Sequence, residues 1–142
     1  QTVVVDCLRG LKGTPSNIVE EYAKLLKSYG IQSINGDRYT GTWCADEFRK
    51  WNIDYCYSKK NKSELYKELL PILNSGLIEL PDDQILINQL TLLERRTNRS
   101  GNDSIDHPAG YHDDYANSVA GLAAHTALKH CRKVNANVRW VA

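Results

Sequence analysis

Hydrophobic positions along the chain switch between a period of two and a period near 3.6, and the switches mark out the elements. The run TVVVDCLRG is β-branched and predicts a strand over Thr2–Leu8, with Val4, Asp6 and Leu8 on one face. GTPSN follows as a turn, with Thr14 as N-cap and Pro15 at the first helical position. Ile18, Val19, Tyr22, Leu25, Leu26 and Tyr29 then share one helical stripe, which Gly30 ends. IQSINGD predicts a short strand finishing at Asp37. Strand, helix and strand with short links predict a parallel pair joined by a right-handed crossover.

A helix over Trp43–Trp51 comes next, and IDYCY alternates as another strand. Ser63–Leu73 is strongly amphipathic and stops at NSG; LIEL reads as a short strand and DDQILINQLTLLERR as a further helix. TNRSGNDSIDHPAG is polar and glycine-rich, which predicts a loop. The last helix is expected from about Tyr111 to His130, lined by Ala116, Val119, Ala120, Ala123 and Ala127. Side chains that small imply close packing against a sheet. The pattern as a whole is α/β.

At 142 residues, 42% hydrophobic and 25% charged, the chain is sized for one soluble domain with one core. The formal charge of +1 conceals an asymmetry, because Lys129, Arg132, Lys133 and Arg139 belong to a terminal stretch without acids. The expected division is a body over residues 1–128 and a basic tail over 129–142. Such a tail suits phosphate contact, although a solvated end is the commoner outcome. Cys7, Cys44, Cys56 and Cys131 are scattered, with no CxxC pair and no histidine at zinc spacing. That argues for reduced thiols rather than a disulfide framework or zinc knuckle. No apolar run nears the ~18 residues of a membrane span, and the start lacks a signal-peptide pattern. Gln1 opens a chain without Met, which reads as an excised piece whose natural start lies upstream.

Candidate chemistry gathers in DHPAGYHDDYANSVAGLAAH, residues 106–125. Asp113 and Asp114 stand at a helix start there, with Asp103 and Asp106 just upstream. Helix-dipole capping is one reading, since a first-turn acid gains up to ~1 kcal/mol. A divalent-metal site is the other. Asp37, after Gly36 at a strand end where α/β sheets collect ligands, has the same two readings, capping being slightly favoured on spacing alone. Two carboxylates ~4 Å apart repel by about 4 kcal/mol at an effective dielectric of ~20. Three converging acids therefore need a shared proton or a cation, and Mg²⁺ suits oxygen-only ligands. His107 and His112 flank the acids and read as a turn residue and a helix-entry residue rather than as ligands. Lys59, Lys60 and Lys62 form one basic run; Arg95, Arg96 and Arg99 form another. Each is a solvated face or the edge of a DNA path contacting phosphates. Arg38 borders Asp37, as a phosphate contact or as an ion pair orienting it. Trp43, Trp51, Tyr55 and Tyr57 read as core rather than as base-stacking groups.

The blocks GDRYTGTW, KSELYKELLPILNSGLIELPDD and LERRTNRSGNDSIDHPAGYHDDYANSVAGLA resemble, in order and spacing, the nuclease domain of the large terminase subunit of tailed bacteriophages. The likeness runs from about Val3 to Ala124, and its most specific block is DHP…HDDxAN. It implies a ribonuclease-H-like mixed sheet flanked by helices, truncated at its N-terminal hairpin. The activity implied is divalent-metal-dependent endonucleolytic cleavage of double-stranded DNA during capsid packaging, in the bacterial host cytoplasm at the procapsid. By the same resemblance Asp37, Asp113 and Asp114 are the catalytic acids that hold Mg²⁺ or Mn²⁺, with Asp6 as a fallback ligand. Arg38, Lys60, Lys62, Arg95, Arg96 and Arg99 are the residues expected to contact DNA. Portal protein and the small terminase subunit are the implied partners through the full motor, with a homo-oligomer as one assembly.

Two departures from the family pattern matter. The hairpin that carries the family's first catalytic acid has no counterpart before VVVDCLRG, and no Walker loop is present. The main rival reading is therefore a truncated, catalytically silent module that binds DNA or packs against a partner. Another ribonuclease-H-like enzyme, such as a resolvase or integrase, is disfavoured because those families do not share the quoted blocks. Without the hairpin, the first strand is expected either to pair in parallel with the Ile31–Ile34 strand, or to leave a gap that a second chain fills.

Overall fold

Residues 2–37, 41–99, 101–129 and 139–140 are described by a computed structural model of the chain. Within them, five helices alternate with short strands. The opening strand β1 (Val3–Val4) is followed by α1 (Pro15–Ser28), which begins with Thr14 as N-cap and Pro15 in its first turn. Its apolar stripe buries Val19, Tyr22, Ala23 and Leu26, and Gly30 turns the chain away at φ +68. Strand β2 (Ser33–Gly36), helix α2 (Trp43–Lys50) and strand β3 (Asp54–Tyr57) then form a parallel strand–helix–strand unit, with Ser33 opposite Asp54 and Gly36 opposite Tyr57. Ile31, Ile34, Phe48 and Ile53 pack with the α1 stripe into one of two cores.

The second core is mainly helical. Helix α3 (Lys62–Asn74) opens with a capping box, the Asn61 side chain accepting from the Glu64 amide at 3.0 Å while Glu64 accepts from the Asn61 amide at 2.7 Å. After β4 (Ile78–Glu79) comes α4 (Gln84–Thr91), capped by Asp83. Leu65, Tyr66 and Leu69 of α3 and Leu86 of α4 meet Ala116, Val119, Ala120 and Ala123 of α5 (Asp114–Lys129). The small side chains of α5 thus bring it against helices α3 and α4 more than against a sheet, which corrects the expected partner. The reason is that β2 is only four residues long and offers little face, whereas α3 and α4 present leucines that alanines can receive.

Three further expectations are overturned. Strand β1 spans two residues and pairs in parallel with β4, Val3 opposite Ile78, not with β2. Asp6 accordingly lies beyond the strand on an exposed stretch. Second, α4 ends at Thr91, and LERR enters strand β5 (Glu94–Thr97) instead of continuing the helix. Third, the supposed loop contains strand β6 (Asp103–Asp106), antiparallel to β5 with Arg95 opposite Ile105. Cross-strand pairs explain the hairpin, because Asp103 receives Arg95 Nε at 2.8 Å and Thr97 Oγ1 at 2.6 Å. The last strand, β7 (Arg139–Trp140), lies parallel to β2, with Ile34 opposite Arg139. Of the basic stretch after Lys129, Arg132, Lys133 and Cys131 lie outside the described residues, as does Arg38. No helix among the described residues is long and apolar enough to cross a membrane.

Candidate metal centre

Asp113 occupies the N-cap position of α5, its carbonyl accepting the Asn117 amide at 2.7 Å. An aspartate there ordinarily turns its carboxylate onto the second and third amides of the helix. Here those amides, of Tyr115 and Ala116, donate instead to Gln89 Oε1 of α4 at 2.8 and 3.0 Å. A side chain from another helix does the capping. The Asp113 carboxylate is thereby released to point elsewhere, and the capping reading no longer accounts for it.

The Asp113 side chain is only 9% exposed. Its Oδ2 accepts the Tyr66 hydroxyl at 2.7 Å and lies 3.2 Å from the Lys62 ammonium. Both partners sit one turn apart on α3, the helix whose capping box fixes its start beside β6. Ser63 Oγ accepts the Ile105 amide at 2.9 Å and locks that juxtaposition. Asp106 then follows at the end of β6, its carboxylate paired with Lys62 and accepting the His107 amide at 2.8 Å.

His107 completes the group. Its Nδ1 lies 2.8 Å from the Pro108 carbonyl, an atom that only accepts, so Nδ1 carries the proton. In the neutral ring Nε2 is then bare, and it stands 3.7 Å from Asp113 Oδ1 and 3.8 Å from Asp106 Oδ1. Either a proton on Nε2 or a cation between the three groups suits that arrangement, and a backbone-anchored Nδ1–H is the usual way of presenting Nε2 to a metal. Ligand atoms of Asp106, His107 and Asp113 all lie within 4.8 Å of one another. Two carboxylate oxygens and one imidazole nitrogen match Mn²⁺ well, and the oxygen pair matches Mg²⁺.

Electrostatics follow the contacts. Burial opposes charge on Lys62, but its bonds to Asp106 and Asp113 outweigh burial and raise its pKa. Lys62 in turn holds the Asp106 carboxyl below the usual range, against a smaller effect of desolvation. Tyr66 is pushed up by burial first and by Asp113 second, with Asp106 and Asp114 adding to it, so its hydroxyl stays a donor. Because the folded-state pKa of Asp106 is depressed, its contribution to stability is complete above the ordinary carboxyl value of about 4 and is lost as pH falls through the folded value. Asp106→Asn is therefore expected to flatten the fall of the urea midpoint below about pH 4 relative to the unaltered chain. Identical acid limbs for both proteins would contradict the Lys62–Asp106 pairing.

The remaining residues singled out from the sequence are distributed as follows. Asp114 begins α5 next to Asp113 and is exposed. Asp37 follows β2, and the Tyr55 hydroxyl donates to its carbonyl at 3.1 Å. Gly36 is needed there, because a Cβ would meet that hydroxyl at 2.0 Å. Lys60 pairs with Glu68, Arg95 with Asp103 and Arg96 with Glu94, while Arg99 is exposed near the hairpin turn. Lys62, one of the residues expected to contact DNA, pairs with Asp106 and Asp113. Asp106, His107 and Tyr66 were not assigned to the site by sequence reasoning. Asp106 and His107 do lie in the most specific quoted block, which was the available signal.

The architecture matches solved structures of known proteins. The crystal structure of the large terminase nuclease from thermophilic phage G20c aligns with a TM-score of 0.69 at 26% identity, covering 82% of this chain and 64% of that one. This chain has the fold of a phage large terminase nuclease domain. The same phage nuclease with bound magnesium aligns with a TM-score of 0.66 at 24% identity over 79% of this chain and 62% of that one. The large terminase nuclease domain of Thermus phage P74-26 aligns at 0.68 and 23%, over 90% and 66%. The chain thus spans less than two thirds of each of these terminase nucleases. Their fold is ribonuclease-H-like, as expected from the sequence. No family model matches the sequence, and no curated protein matches it.

Proposed function

We propose that this chain is the nuclease part of a phage large terminase, a divalent-metal-dependent endonuclease that cuts double-stranded DNA during genome packaging. The observation that carries the proposal is the Asp113 carboxylate, relieved of capping by Gln89 and converging with Asp106 and His107. The terminase-nuclease fold, one of whose solved examples holds magnesium, supports the choice of ion. Asp113 is the hub of the proposed site, held in place by Tyr66. Asp106 and His107 complete one set of donors. Asp37 and Asp114 are proposed as the further acids that share a divalent ion, as the family resemblance implies. Divalent ions bound there supply charge stabilisation to the attacking and leaving oxygens of a phosphodiester. The exposed Arg99 and the basic residues Lys60, Arg95, Arg96 and Arg38 are proposed to follow the DNA backbone, which positions the duplex without reading its sequence. Portal and small terminase subunit as partners, self-association, and action in the host cytoplasm belong to the same proposal.

Incubating supercoiled plasmid with the chain tests it. Nicking is expected to be slow and stronger with Mn²⁺ than with Mg²⁺, because Mg²⁺ demands near-ideal octahedral oxygen ligation and dehydrates reluctantly. Asp37→Ala is expected to remove it. DNA binding without cleavage under either ion would favour the rival, a silent packing or DNA-binding module.

A further inference from the structure

Lys62 is the only cation that the structure places against two members of the metal-capable group among the described residues, touching Asp106 and, at 3.2 Å, Asp113. We propose that Lys62 is a built-in competitor for the metal, an ammonium that neutralises the acids when no ion is present and must withdraw when one binds. The inference rests on the metal reading above and concerns what controls occupancy of that site.

Charge and geometry carry it. Two carboxylates held within 4.8 Å repel strongly, and Lys62 offsets that repulsion in the metal-free fold. Its ammonium pairs with Asp106 Oδ1, an oxygen that also faces His107 Nε2, and with Asp113 Oδ2, on the carboxylate whose Oδ1 faces the same nitrogen. A divalent ion within ligand distance of those oxygens and an ammonium hydrogen-bonded to them stand only a few ångströms apart, which like charges oppose. His107 is not consumed by Lys62: its Nε2 faces the acids from another side, 3.8 Å from Asp106 Oδ1 and 3.7 Å from Asp113 Oδ1. The group is therefore a site with one wall already set for a metal and another occupied by an exchangeable cation. Lys62 has room to leave, since its side chain is 26% exposed on a flexible four-carbon stem. Tyr66 keeps Asp113 in place while Lys62 moves, because its bond to Oδ2 is independent of Lys62.

Mn²⁺ binding, measured by calorimetry and by the electron paramagnetic resonance signal of free Mn²⁺, tests this without relying on cleavage. Lys62→Met is expected to tighten the Mn²⁺ dissociation constant by roughly thirtyfold, the bulk-water limit for a unit charge about 4 Å from a divalent ion. Lys24→Met, which removes the same charge from pairs with Glu20 and Glu21 on α1, outside the group, is expected to leave it nearly unchanged. In the unaltered chain, acylation of Lys62 followed by mass spectrometry is expected to speed up on adding Mn²⁺, a readout that survives even if the Lys62→Met chain does not fold. Equal or weaker Mn²⁺ binding by folded Lys62→Met, or unchanged acylation of Lys62 on a chain that binds Mn²⁺, overturns the competitor role alone. No Mn²⁺ binding by the unaltered chain and by Lys62→Met overturns the metal reading, and this inference with it.

Discussion

Asp113→Asn is expected to lower metal-dependent DNA cleavage by more than a hundredfold, with Mn²⁺ binding lost in parallel. Even residues that only support metal ligands are worth about 10–100-fold, and a direct anionic ligand exceeds that range. Asparagine keeps the shape of the side chain and can still accept the Tyr66 hydroxyl, so the buried phenol is not orphaned. Gln89 continues to cap α5, because that cap does not involve the Asp113 carboxylate. The substitution therefore removes a charge and little else. Lys62 retains Asp106 as its partner, which limits the loss of stability. Circular dichroism and a urea melt are expected to resemble those of the unaltered chain, while plasmid nicking disappears. Cleavage within threefold of the original at saturating Mn²⁺ would remove Asp113 from the metal site.

Leu69→Ala carries the largest expected effect on stability. Leu69 is 2% exposed on α3 and packs in the core shared with Leu86 and the alanine face of α5. Truncating a buried leucine costs about 2–5 kcal/mol, more where surrounding helices cannot collapse into the cavity. The alanines opposite have no longer side chain to extend into the space, so the upper part of that range is expected. For a domain held by roughly 5–15 kcal/mol, a loss of that size leaves a marginal fold. The same cavity lies between the helix that bears Lys62 and Tyr66 and the helix that begins at Asp113. Mn²⁺ affinity is accordingly expected to weaken as well, although Leu69 touches no ligand. Guanidinium denaturation checks the first expectation, and a loss below about 1 kcal/mol would mean the α3–α5 seam is looser than its burial indicates.

How much of this was legible in the sequence depends on the range over which each feature is encoded. Helix α1 was readable because its signals are local: Thr14 and Pro15 at one end, Gly30 at the other, and a stripe of apolar residues between. The β5–β6 hairpin was not, since ERRT and DSID are polar on both faces and are held by Arg95–Asp103 and Thr97–Asp103 contacts rather than by a buried stripe. The partner of β1 escaped because two paired residues carry no register signal. At the site, the acids near the start of α5 stood out, and of them Asp106 and Asp113 come together. The two readings of Asp113 could not be separated locally, because the deciding group is Gln89, on a different helix. Tyr66 lies on the buried face of α3, and nothing local in the sequence shows that its hydroxyl meets a carboxylate 47 positions later. His107 stands just before the turn at 109–110, and its ring Nδ1 meets the Pro108 carbonyl, the same oxygen that accepts the Tyr111 amide to close that turn.

The central claim is that a divalent ion is held at Asp113. Crystals of the chain grown with Mn²⁺ and measured at the manganese absorption edge test it directly. An anomalous peak is expected within about 2.0–2.3 Å of an Asp113 carboxylate oxygen, with Asp106 Oδ1 or His107 Nε2 in the same shell and the Lys62 ammonium moved away. An ordered manganese elsewhere with Asp113 still paired to Lys62, or no ordered manganese at saturating concentration, would contradict it.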